Sequence, residues 1–132
     1  MRHQSREIAL QILFQTEFAN TISTHDYLNL LEDKVDSQVV DYAETLVTGV
    51  KNNQADIDSK IKSHSSHWSI ERMSVVDRNV LRMAIYEMFF ASERLKPSIA
   101  INEAVDIAKK FGTTDSGSFV NGILDAISKK NL

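Results

Sequence analysis

The chain has 132 residues, 42% of them hydrophobic and 25% charged, which is single-domain length with an ordinary globular composition. It has no cysteine, which excludes disulfides, thiolate metal sites and a cysteine nucleophile and suits a cytoplasmic setting. The net charge of −3 does not suggest nucleic acid, but it is uneven. Between Asp26 and Asp58 eight acids face only Lys34 and Lys51, a sum of −6 that leaves the remaining residues at +3. No apolar run approaches the roughly 20 residues of a membrane helix, and no signal-peptide core opens the chain. One proline and four glycines argue against a turn-rich β design and for helices.

In chain order, Met1 to Glu7 reads as a polar lead-in, with Arg2, His3 and Arg6 beside the terminal amine and Ser5 as a candidate cap. The first helix should then run to about Ala19. Ile8, Ala9, Ile12 and Leu13 form a normal core stripe, whereas Leu10, Phe14 and Phe18 recur four apart on nearly the opposite side. Either this helix is buried on both faces, or Phe14 joins an exposed apolar contact surface. Aromatics at helical spacing usually pack, which favours burial. A loop over Asn20–Thr24, a short helix around Asp26–Leu31 and a polar break over Asp33–Ser37 follow. Val39, Val40, Ala43, Leu46, Val47 and Val50 mark a third helix, stopped at Asn52 and Asn53. Ile57 and Ile61 mark a fourth, and Ser63-His64-Ser65-Ser66 a loop. Trp68, Ile70 and Met73 should anchor a helical turn on the core.

Ser74 caps the strongest helix. Its apolar face, from Val75 through Phe90, is wide enough to be touched on most sides, and it should end near Arg94, ahead of Pro97. Beyond Pro97, Ile101, Ala104, Val105, Ala108 and Phe111 make one helical face. Gly112 stands where a left-handed cap is easiest for glycine. Asp115 is placed to cap a last helix carrying Phe119, Val120, Ile123, Leu124 and Ile127. The expected fold is all-α, about seven helices with short connections in one domain over residues 1–132.

The elbow Gly112-Thr113-Thr114-Asp115-Ser116-Gly117-Ser118 has the flavour of a phosphate loop, but Ser118 stands where Walker A needs lysine and no strand precedes it. Two readings remain: free N–H groups at the start of the last helix that accept an anion, or a plain turn and cap. His64 and His67 lack the further ligands a metal site needs. Glu103 and Asp106 look like a solvated face. With no nucleophile elbow and no acid–base set to single out, nothing points to an enzyme, a metal or a cofactor. Arg2, Arg6, Lys129 and Lys130 are basic residues at the two chain ends. They are either scattered solubilising charge, with Phe119 in the core, or a cationic patch beside Phe119 as a base-stacking ring. Composition favours the first.

Four blocks carry a resemblance. R-E-I-A-L-Q-I-L-F at Arg6–Phe14, D-R-N-V-L-R-M-A-I-Y-E at Asp77–Glu87, I-N-E-A-V-D-I-A-K-K-F-G at Ile101–Gly112 and F-V-N-G-I-L-D at Phe119–Asp125 resemble the NusB family of bacterial transcription antitermination factors, in order and spacing. The resemblance implies two small helical bundles and no catalysis. It also implies a partner, the small-subunit ribosomal protein NusE, with which boxA RNA of nascent ribosomal transcripts is bound so that RNA polymerase reads through terminators. By the same resemblance, RNA is met by Arg2 and Arg6 and by Ser118, Phe119 and Asn121. NusE is met by Phe14, Asp77, Arg82 and Asp115. Phe14 stands where relatives often carry tyrosine, so no hydroxyl bond is available there. The basic start is thinner than the arginine cluster of many relatives; because affinity follows the phosphates neutralised, weak RNA binding without the partner is expected. The same module occurs fused to ribosomal RNA cytosine methyltransferases, for which this chain has no room. The competing expectation is a helical protein–protein scaffold or homodimer without an RNA role, formed through Leu10, Phe14 and Phe18.

Overall fold

A computed structural model describes residues 2–18, 24–31, 34–65 and 67–130. The end of the first helix at Ala19, most of the loop over Asn20–Thr24, Asp33 and Ser66 lie outside them. Seven α-helices follow one another: α1 Arg2–Phe18, α2 Thr24–Leu31, α3 Ser37–Asn52, α4 Gln54–Lys62, α5 Val75–Ile85, α6 Pro97–Phe111 and α7 Ser116–Lys130. No strand occurs among the described residues. A 3-10 turn over Ile70–Arg72 precedes α5, and a π-helical turn over Tyr86–Phe90 continues it.

Two small bundles share α5. On one side α1 packs on α3 with α2 beside it; on the other α6 packs on α7; α5 touches α1, α3, α4, α6 and α7. Every residue from Asn79 to Met88 is buried, as expected for a helix enclosed by neighbours. Leu46, Ile57, Ile61, Leu81, Ile85, Ile107, Leu124 and Ile127 are fully buried, and each such side chain contributes about 1.5–3 kcal/mol relative to exposure. Gly49 of α3 lets Tyr86 close on the helix, since a Cβ there would overlap the Tyr86 ring.

The helix ends follow local chemistry in part. Ser74 caps α5 as expected, its hydroxyl accepting the Asp77 N–H at 3.0 Å, and the Asp36 carboxylate caps α3 by accepting the Gln38 N–H at 2.8 Å. Four expectations need correction. Ser5 does not stand at the start of the helix: it is buried inside α1 and its hydroxyl donates to the Val39 carbonyl at 2.8 Å, tying α1 to α3. The helix before Pro97 ends at Phe90, not near Arg94, through a widened turn in which the Ala91 N–H reaches back five residues to the Tyr86 carbonyl at 2.9 Å. Gly112 is not left-handed, with φ −99°. It is glycine for space: a Cβ there would meet the Ala108 carbonyl oxygen at 2.7 Å and crowd the Ser116 side chain. Ser116, not Asp115, organises the start of α7, its hydroxyl accepting the Thr113 N–H at 2.9 Å.

Candidate nucleic-acid and protein interface

Phe14 is 38% exposed and Phe18 65% exposed, while Leu10 of the same stripe is buried. The expectation of core packing for Phe14 and Phe18 is therefore overturned: among the described residues no helix buries either ring. The two rings support each other, with centroids 4.8 Å apart at 50°, a tilted pair of the kind aromatic quadrupoles favour.

Glu17, between these rings in sequence, fixes the end of α1 on the start of α5. It accepts from Arg78 Nε at 2.9 Å and from Asn79 Nδ2, with Arg82 Nη1 3.8 Å away. Burial pushes the Glu17 carboxyl up, but hydrogen bonds from Arg78 and Asn79 and the charges of Arg78 and Arg82 outweigh it and hold the group below the usual carboxylate range. Arg82 is buried and grips Asp58 of α4 through Nε at 2.9 Å and Nη2 at 3.1 Å. The structure therefore contradicts its placement on the partner surface. Its charge is matched internally, and what it does is join α4 to α5 below the surface.

Asp77 and Asp115, far apart in sequence, meet at one cleft of about 340 Å³ lined by Trp68, Arg72, Met73, Ser74, Asp77, Asp115 and Phe119. One Asp77 carboxylate oxygen is buried there without a donor. Trp68 does not anchor the preceding turn as expected: it is 52% exposed on the cleft, while Ile70 and Met73 alone reach the core. Phe119 is half-buried, its ring packed against the core while it also lines the cleft.

The basic start of α1 divides. Arg2 is exposed, its guanidinium 4.3 Å from the centroid of the Tyr42 ring on α3. Arg6 is buried at 5% exposure and forms a two-pronged pair with Glu87, Nε to Oε1 at 2.8 Å and Nη2 to Oε2 at 2.9 Å. Tyr42 donates its hydroxyl to the same carboxylate at 2.6 Å, and Glu103 adds a contact at 3.4 Å. Burial alone would lower the Arg6 pKa, but the Glu87 hydrogen bonds and the charges of Glu87 and Glu103 raise it. Burial, followed by the hydrogen bond and charge of Glu87, pushes the Tyr42 phenol well above its usual value despite Arg2 and Arg6. Arg6 as a phosphate contact is contradicted, since its guanidinium is spent on internal carboxylates. Glu103 likewise is no merely solvated acid: it holds Arg6 and His3.

At the elbow, Ser118 and Asn121 are exposed on α7. Around it, Lys110 pairs with Glu7 at 3.0 Å and Lys129 with Asp125 at 2.9 Å. Lys109, which nothing in the sequence singled out, lies with its stem across Gly117. Among the described residues no group of three or more His, Asp or Glu is arranged to hold a metal ion, and no helix is long and apolar enough to cross a membrane.

Aromatic rings left in solvent, a cleft between the starts of α5 and α7 and exposed polar residues at a helix opening are surfaces for contact, and the class they define is a small all-helical binding module. Comparison with known proteins then gives the lineage. The model of the NusB family matches residues 3–129. The chain is 59% identical to the transcription antitermination protein NusB of Bdellovibrio bacteriovorus, over 97% of this chain and 95% of that protein. Among solved structures it is similar to T. maritima NusB, at 39% identity and a TM-score of 0.88 over 98% of this chain and 92% of the other. It is also similar to a chain in a crystal structure of the antitermination factors NusB and NusE in complex with dsRNA. There the identity is 30% and the TM-score 0.83, covering 98% of this chain and 96% of that one. The chain belongs to the NusB family.

Proposed function

We propose that this protein is a transcription antitermination factor that works in the cytoplasm by binding boxA-type RNA of nascent ribosomal transcripts together with NusE, so that RNA polymerase reads through terminators. The similarity at 30% identity to a chain of a NusB–NusE–dsRNA structure supports both partners. The observation that carries the protein–protein half is the Phe14–Phe18 pair, two large rings that the fold leaves unburied at 38% and 65% exposure. Phe14 supplies the apolar centre of the NusE contact, and Asp77 and Asp115 give it polar register from the neighbouring helices. RNA lies along Arg2, Ser118, Phe119 and Asn121, with hydroxyl and amide groups reading single-stranded bases and Phe119 supporting one of them.

The test is binding of a boxA-type oligonucleotide with and without NusE, at several salt concentrations, against a scrambled sequence. The expected result is weak binding alone and tight, sequence-dependent binding with NusE, which Phe14→Ala weakens by lowering NusE affinity. A NusE-loaded protein with no preference over scrambled RNA overturns the reading. So does a tight homodimer in sedimentation that excludes NusE and dissociates on Phe14→Asp.

A further inference from the structure

Gly117 is buried in the first turn of α7, and its neighbour in space is a lysine stem rather than the hydrophobic core. A Cβ placed on Gly117 would stand 3.0 Å from Lys109 Cγ, 3.1 Å from Cε and 3.6 Å from Cδ. The whole aliphatic chain of Lys109 is therefore laid along the glycine, out to the carbon that carries the ammonium. Lysine stems commonly cover apolar surface while the charge stays in water, and Lys109 is exposed. Its neighbours are spent differently. Lys110 is held by Glu7, and Lys129 by Asp125. Lys109 forms no ion pair among the described residues, although Asp106 and Asp125 lie on the same two helices. A flexible cation is thus directed across the elbow by packing rather than by an opposing charge, leaving its charge free for a ligand.

One turn further along α7 the surface is bare in a complementary way. A Cβ on Gly122 would meet nothing within 4 Å, so nothing inside the fold requires glycine there. Exposed glycine within a helix is destabilising relative to alanine. Gly122 shares the exposed face of α7 with Ser118 and Asn121. Low side-chain relief beside an unpaired cation suits a backbone that comes close from outside.

We propose that Lys109 is a phosphate-binding residue of the α7 face, positioned by Gly117, and that it neutralises one phosphodiester of the RNA strand crossing Ser118 and Asn121. The inference rests on the RNA-binding reading above and adds a residue to it. Lys109 thereby supplies, from α6, a charge that the thin basic start of α1 does not.

The experiment compares Lys109→Gln, Lys109→Arg, Gly117→Ala and, as a remote control, the exposed Lys34→Gln, each loaded with NusE and titrated with a boxA-type oligonucleotide across a salt series. Loss of one phosphate contact lowers the slope of log affinity against log salt by roughly 0.7 on a single strand. Lys109→Gln is expected to show that drop, Lys109→Arg to keep the wild-type slope, and Lys34→Gln to leave it unchanged. Gly117→Ala retains the charge but displaces the stem, so RNA affinity should fall while circular dichroism and the melting temperature remain near wild type. A wild-type slope in Lys109→Gln overturns the proposal while wild-type protein still prefers boxA-type RNA. Absence of that preference in the wild type overturns the underlying reading instead. If Lys109→Gln weakens NusE binding without RNA and leaves the RNA slope intact, Lys109 serves the protein partner and the proposal fails.

Discussion

Replacing Glu87 by glutamine keeps the shape of the side chain and removes the charge that Arg6 is built around. In the native fold Glu87 is 3% and Arg6 5% exposed. Two guanidinium hydrogen bonds at 2.8 and 2.9 Å and the Tyr42 hydroxyl at 2.6 Å converge on the one carboxylate. Breaking a buried pair by neutralising one partner costs about 3–5 kcal/mol, because the other charge stays buried. Glu103, at 3.4 Å from Arg6 and more accessible, returns part of that, so the lower end of about 3 kcal/mol is expected. For a chain of this length the loss lowers the melting temperature by roughly 10 °C. Thermal and urea melts followed by circular dichroism measure it. Arg6→Met combined with Glu87→Gln should lose less than the sum of the single changes, since the uncompensated charge is gone. Per folded molecule saturated with NusE, RNA binding by Glu87→Gln should match the wild type. A melting temperature within about 3 °C of wild type, or RNA affinity that changes while stability does not, would refute the assignment of Arg6 to the interior.

Gly49→Ala drives a methyl group into the Tyr86 ring, and overpacking of this kind costs about 1–3 kcal/mol; an unchanged urea midpoint would show that α3 and the π-turn separate freely. Gly122→Ala adds its methyl to open space and should stabilise by about 0.8–1 kcal/mol through helix propensity, read as a higher melting temperature. A lower one would mean that glycine serves the fold there. The folded pKa of Glu17 lies below its reference value of 4.5, so its stabilisation is complete above that pH and is lost as pH falls through the folded value. Glu17→Gln should therefore flatten the acid limb of a stability-against-pH curve, and an acid limb identical to wild type would contradict the Arg78–Asn79 network.

The periodicity of apolar residues made the helices legible, including the enclosed position of α5, because burial follows spacing along a helix whatever its neighbours are. The Ser74 cap was legible for the same local reason: donor and acceptor lie three residues apart. Long-range pairing was not. Arg6 and Arg82 read as surface cations until Glu87, 81 residues away from Arg6, and Asp58, 24 away from Arg82, are brought to them. Ser5 looked like a cap because its true acceptor, the Val39 carbonyl, is 34 residues distant. The period of α1 set Phe14 off the core stripe but did not say whether another helix would cover it. Lys109 carried no sequence signal at all. A lysine near the end of a helix is unremarkable until a glycine eight residues later proves to be the surface under it.

Two ion pairs that tie α1 to α5 and its π-turn have a joint consequence. Glu17 grips Arg78 and Asn79 at the start of α5, and Arg6 grips Glu87 in the turn that ends it. The helices run antiparallel and are fastened at both ends, so sliding or pivoting of one against the other must break charged contacts at two separated points. Phe14 and Asp77, one on each helix, therefore hold a fixed separation before any partner arrives. A surface preorganised in this way loses little configurational freedom on association. Loosening either fastening should thus weaken NusE binding through entropy, without touching a residue that NusE meets.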